Sequence, residues 1–153
     1  MNFIVVVWLL LAASGPAAGQ APPALPKWKL NLAKSTFDPG PPPRSTSTTL
    51  FTAGRHIKVV SKIVDARGRV SVVEYRVAPD GEEVPVKGAR AYDSLSMKSI
   101  DAYTTEATRR KNGKVVQVST RVMSADGRTA TFTTVGTDER GRKIHDVTVF
   151  ERQ

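Results

Sequence analysis

Few side chains in this 153-residue chain could carry acid–base or nucleophilic chemistry. There are two histidines, His56 and His145, and no cysteine. Thiol catalysis and cysteine-bound metal are therefore excluded. His145 is followed by Asp146, a pairing of types that in a triad orients an imidazole toward a serine. Here the two fall in a strand-like run, where adjacent side chains point to opposite faces. No Gly-x-Ser-x-Gly elbow is present to expose a nucleophile. No His-x-His or His-x-x-x-His spacing offers a metal site. Glu82-Glu83 and Asp138-Glu139 lie at turn signals, where carboxylates are solvated rather than set as the facing acids of a glycosidase. The expectation is a non-enzymatic protein with no metal and no cofactor.

The formal net charge is +9, and none of it comes from residues 1–20, which contain no Asp, Glu, Lys or Arg. Such a surface favours anionic surroundings. Two basic clusters flank turn signals: Arg109-Arg110-Lys111, and Arg140 with Arg142 and Lys143. The first is the candidate polyanion site, able to grip phosphate or sulfate groups. The competing reading is a charged hairpin tip that keeps a strand edge soluble. No aromatic residues interleave with either cluster as in single-strand binders. An anionic surface or a partner protein is thus expected ahead of nucleic acid.

The elements that must position these residues are strands. Gly54, Gly68 and Gly81, then Gly113, Gly127 and Gly141, recur every 13 or 14 residues. Several stand in Asn-Gly or Asp-Gly pairs, which supply the backbone angles of tight hairpins. Between them run stretches rich in Val, Thr, Ile, Tyr and Phe, types that suit a pleated, half-buried surface. The pattern predicts ten strands near 27–32, 46–53, 56–65, 69–78, 82–87, 94–100, 103–110, 114–124, 128–137 and 143–151, and no helix. The fold class is all-β, an up-and-down antiparallel meander. Closing it into an up-and-down barrel disposes of its edges, and a two-sheet sandwich is the alternative. An outer-membrane barrel is disfavoured, since aromatics make up 7% of the chain, too few for two membrane girdles. The larger side chains expected to face a barrel interior, and so to bind a ligand, are Tyr75, Tyr103, Phe132 and Phe150. They either line a pocket or fill it.

Ahead of the strands, Phe3 to Ala13 form an apolar run shorter than the roughly 20 residues that span a bilayer. Small residues follow, and Ala17 and Gly19 fit a signal-peptidase cut before Gln20, with a cut after Ala21 close behind. This predicts a signal peptide over 1–19, an extended Pro-rich leader over 20–26, and a barrel domain over 27–153. The protein is then secreted or periplasmic, has no membrane span after cleavage, and is monomeric. Without cysteine, it is held together by burial and sheet hydrogen bonds.

The two ends of the chain resemble the calycins, meaning lipocalins and fatty-acid-binding proteins. Those begin with Gly-x-Trp-Lys-Leu and a Ser-x-x-Phe-Asp-like stretch; here stand Pro26-Lys27-Trp28-Lys29-Leu30 and Ser35-Thr36-Phe37-Asp38. Their final Val-Tyr-Glu-Arg is matched by Val149-Phe150-Glu151-Arg152. The resemblance implies a barrel closed between first and last strands, with Arg152 packed across Trp28 at one end. It also implies a small apolar ligand. Two features depart from the family. The helical lid is replaced by the proline loop 39–43, and the carboxylate-holding Arg-x-Tyr falls on Thr148 and Phe150. The functional expectation is a binding protein for a small apolar ligand; the alternative is a protein-binding module or secreted inhibitor that works through its barrel-end loops.

Overall fold

The computed structural model describes residues 24–153; the expected signal peptide and most of the leader lie outside them. Ten strands follow in chain order: β1 (Ala24–Thr36), β2 (Ser45–Ala53), β3 (His56–Val64), β4 (Val70–Val77), β5 (Asp80–Pro85), β6 (Ser94–Ser99), β7 (Thr104–Lys111), β8 (Lys114–Met123), β9 (Thr129–Thr137) and β10 (Lys143–Arg152). All lie in one antiparallel sheet of order β4-β3-β2-β1-β10-β9-β8-β7-β6-β5. The meander therefore closes where its ends meet, with Trp28 directly opposite Arg152 and Leu30 opposite Phe150. Among the described residues no helix is long and apolar enough to cross a membrane.

Most boundaries fall within a residue or two of those the turn signals predict. At Asn112-Gly113 both residues have positive φ, 50° and 76°, as the tight turn joining adjacent strands β7 and β8 requires. β1 is the main exception. It starts at Ala24 and so absorbs the end of the expected leader, and it runs on to Thr36 through a register shift between Asn31 and Thr36. Ser35 Oγ, which donates to the Asn31 carbonyl (2.6 Å) and accepts the Val149 amide (3.0 Å), carries β1 through that irregularity.

The barrel is nearly closed rather than fully closed. Its gap lies between β4 and β5, consecutive in the chain, not between the termini. No ladder joins these two strands; a single bridge links β4 to the residues just after β5, where Glu74 and Lys87 exchange both amide–carbonyl bonds at 2.9 Å. Local sequence explains the break. Pro79 has no amide proton to offer a ladder, β5 is short, and residues 86–93 leave it as a loop that lies against β4. That loop approaches so closely that a Cβ on Gly88 would sit 1.8 Å from the Val72 carbonyl oxygen. Apolar packing takes over where the ladder stops: Val59, Val73, Val77, Val86 and Leu95 form a buried cluster behind the seam.

The opposite arc, β7 to β9, has a more polar inner face. Two of the turns at one barrel end repeat the sequence Asp-x-Arg-Gly-Arg, at 65–69 and at 138–142. In each, the first carboxylate accepts the amides of the residues two and four places on, and takes the last guanidinium at 2.7 Å. Asp65 is held below the usual carboxylate range chiefly by the Arg69 amide. Burial opposes the same effect at Asp138, where the Arg142 and Arg140 amides and the Arg142 guanidinium outweigh it. The repeat was readable in the sequence as two copies of one pentapeptide, a signal that glycine spacing alone passes over.

Candidate functional site

Strand alternation sends every second side chain inward, and the inward set surrounds a cavity of about 310 Å³. Its two walls differ. On the side of β3 to β6 the lining is apolar, with Val59, Ile63, Val73, Leu95 and Met97. On the side of β7 to β9 it carries Thr105, Ser119 and Thr134 together with two arginines, Arg109 and Arg121. Trp28, Tyr75, Tyr92, Phe132 and Phe150 supply aromatic surface, and the Phe132 and Phe150 rings meet edge to face at 5.5 Å.

The polar groups of this interior are not equally satisfied. Hydroxyls pair across neighbouring strands, Thr48 with Ser61 at 2.8 Å and Ser119 with Thr134 at 2.9 Å. Arg109 donates to Gln117 Oε1 at 3.1 Å, Gln117 is itself anchored on the Thr137 carbonyl, and the guanidinium lies 5.1 Å from the Tyr92 ring centre. Yet the Nε atoms of Arg109 and Arg121 are both buried with no hydrogen-bond partner among the described residues. Burial draws Arg121 below its ordinary, very high value, and a guanidinium so basic stays charged at neutral pH. Burial, with Tyr92 adding to it, pushes the Tyr75 phenol up to about 12, against the opposing pull of Arg109 and Arg121. Tyr75 is therefore an O–H donor across the whole physiological range.

Of the four aromatics expected to face inward, Tyr75, Phe132 and Phe150 line the cavity and Tyr103 does not. Tyr103 is 53% exposed, because β7 begins one residue later and the Asp101 carboxylate fixes residues 101–103 as a turn by accepting the Tyr103 and Thr104 amides. The polyanion cluster is also divided, by strand alternation and by a register shift between Arg109 and Arg110. Arg109 points into the barrel, whereas Arg110 points outward to Ser96 Oγ (3.2 Å) and Glu83 (3.6 Å), and Lys111 approaches Asp93 at 3.9 Å. Three consecutive basic residues thus make no single anion-gripping face. Trp28 and Arg152 are cross-strand partners, as the calycin resemblance implies, but Arg152 is exposed and Trp28 turns toward the cavity. The stacked cation of this barrel is Arg109 on Tyr92. Arg121 and Tyr92 are, with Arg109, among the inward residues that sequence reasoning missed. The alternation of Ser119, Arg121 and Met123 on β8 was a usable signal for the first; Tyr92 lies in an irregular loop and had none.

A second hollow, of about 490 Å³, opens at the barrel end that carries the proline loop and both Asp-x-Arg-Gly-Arg turns. It shares Phe37, Pro43, Thr46 and Ile63 with the main cavity, so these four side chains stand between the interior and that mouth. Asp146 lines the mouth, accepts the Asp38 amide at 3.0 Å, and has its carboxyl pushed up by burial. His145 points the other way and bonds Asp38 only through its backbone amide (2.9 Å). Among the described residues no group of three or more His, Asp or Glu side chains is placed to hold a metal ion. No family model, curated protein or solved structure matches the chain.

Proposed function

We propose that this protein is a secreted or periplasmic, non-enzymatic carrier that holds a small, largely apolar molecule inside a calycin-like barrel. The interior cavity carries this reading. At about 310 Å³ it falls at the lower end of the range for small-molecule sites, and its lining has their mixture of apolar walls and few polar groups. The joining of β1 to β10 supports the calycin resemblance, and the mouth behind Phe37 and Pro43 gives a ligand a way in.

A neutral fluorescent probe, 1-pyrenebutanol, tests the cavity directly. Trp28 is the one tryptophan among the described residues and lines the cavity, so energy transfer from its indole to pyrene reports occupancy. Ala107 also lines the cavity, and Ala107→Trp places an indole there at an overpacking cost of about 1–3 kcal/mol. Binding should fall at least tenfold in the folded variant. Unchanged affinity would show that the probe sits elsewhere and would end the carrier reading. The second reading, a protein-binding module acting through barrel-end loops, draws support from Arg67 and Arg140. The repeated turns project both at the mouth, and neither has an ion-pair partner among the described residues.

A further inference from the structure

We infer that the barrel mouth docks an extended acidic segment of a partner protein, whose carboxylates pair with Arg67 and Arg140 while an apolar side chain between them enters the hollow. The inference rests on the second reading above, a protein-binding module, and names the chemistry of its partner.

Charge is divided unevenly between the two barrel ends. In a meander every other connection falls at the same end, so those after β1, β3, β5, β7 and β9 all lie at the mouth. With the strand residues that flank them, these five connections hold ten Lys or Arg against five Asp or Glu. The four connections at the opposite end, counted in the same way, hold two against three. Such a field draws an anionic partner toward the mouth and orients it on approach.

The carboxylates that line the hollow are already engaged. Asp65 and Asp138 are taken up within their own turns, Glu139 lies 3.8 Å from Arg90, and Asp146 accepts the Asp38 amide. Arg67 and Arg140 are exposed and remain free among the described residues. Their turns are braced before any partner arrives, the first by Arg44, which donates to the Ala66 carbonyl at 3.2 Å, and the second by Arg90. A rim fixed in advance loses little freedom on binding. In the sheet order the two hairpins stand four strand positions apart in a ring of ten, so the two arginines reach the hollow from nearly opposite sides. Four strand spacings amount to about 19 Å of wall, and two arginine side chains shorten the gap to one that a few extended residues cross. Between them Phe37, Pro43, Ile63 and Ile144 form a half-buried apolar floor. A side chain can reach that floor, whereas a flat lipid surface stops at the rim. Guanidinium forks match carboxylates in two-point geometry.

The test uses two labelled peptides that differ only in charge, one with glutamates on both sides of a central leucine and one with glutamines in their place. The glutamate peptide should bind the intact protein at least about tenfold more tightly at low salt, and its affinity should fall as salt is added. Arg67→Gln combined with Arg140→Gln should erase that preference. The unfolding temperature should not change, because Asp65 and Asp138 keep their bonds to Arg69 and Arg142. Lys27→Gln combined with Lys29→Gln makes the same charge change near the opposite end and should leave the preference largely intact. Equal losses from the two double variants would overturn the inference by reducing the effect to net charge. So would binding to phosphatidylglycerol vesicles that the arginine pair alone abolishes, which would make the partner a lipid surface. Equal affinity for the two peptides would overturn the acidic partner and leave the module reading standing. Binding of neither peptide would overturn that reading as well.

Discussion

Tyr75 is the residue whose environment is most altered by the barrel. Its phenol lines the cavity and is pushed up to about 12 by burial. The sign of its effect on stability follows from that. Below the unfolded value near 10 both states hold the proton, and the contribution is fully present. As pH rises from 10 toward 12 the unfolded chain releases its proton first, so stability is lost over that window. The loss is on the order of 2 kcal/mol. Absorbance titration at the phenolate band should show one of the three tyrosines ionising near pH 12. Tyr75→Phe should remove that component and flatten the alkaline fall in stability relative to the parent; an unchanged late component would assign it to another residue. Inward-facing Tyr75, Phe132 and Phe150 were legible because each sits in an alternating run. Tyr103 was misplaced because its run begins one residue after it, a boundary fixed by the Asp101 carboxylate rather than by hydrophobic pattern.

Among the elements, the loop between β5 and β6 departs furthest from the regular meander. It leaves the ladder after Pro85, contributes Val86 to the buried cluster and Tyr92 to the cavity, and touches β4 through Glu74–Lys87. Gly88 allows this contact, having positive φ and a backbone pressed on the Val72 carbonyl. A methyl group there meets backbone rather than a movable side chain. Gly88→Ala should therefore destabilise the fold by about 2–4 kcal/mol, through steric conflict and a backbone angle unfavourable to L-residues. Amide exchange should quicken first at Glu74 and Lys87. A variant with parental stability would show that the loop does not press on β4. Pro79 and the shortness of β5 are local signs of a weak ladder, but the pressing of residues 86–93 on β4 joins segments that no local pattern marks as neighbours.

For the molecule as a whole, the proposed carrier role raises the question of entry: the loop-bearing mouth adjoins the cavity, whereas the seam is backed by the buried apolar cluster. The chain has no cysteine, so a disulfide introduced as Glu74→Cys with Lys87→Cys would be the sole crosslink. The two positions are directly bridged, which suits disulfide distances, and the closed loop is short enough to expect about 3 kcal/mol of stabilisation. Oxidation should raise the unfolding temperature while leaving the rate of 1-pyrenebutanol uptake unchanged, if ligand passes between Phe37 and Pro43. Phe37→Ala should accelerate uptake and release together. A disulfide that slows uptake severalfold would move the passage to the seam.

Strand number, antiparallel order and most boundaries could be read from the chain because they rest on local physics. Gly at turns and period-two alternation act over a few residues, and together they specify a meander. The joining of its first and last strands could be anticipated from Trp28 and Arg152. Three features could not be read locally, since each depends on residues far apart in the chain. The unsealed β4–β5 gap has local contributors in Pro79 and the short β5, but that it is the one unpaired neighbour in the sheet order follows from β1 pairing with β10. The division of Arg109-Arg110-Lys111, with Arg109 inward and the other two on exposed acids, depends on which face of β7 the barrel encloses and on the register shift between Arg109 and Arg110. That Arg109, Arg121, Tyr75 and Tyr92 line one space requires β4, β7, β8 and the 86–93 loop to surround it, and burial there leaves the Nε atoms of both arginines without a partner among the described residues.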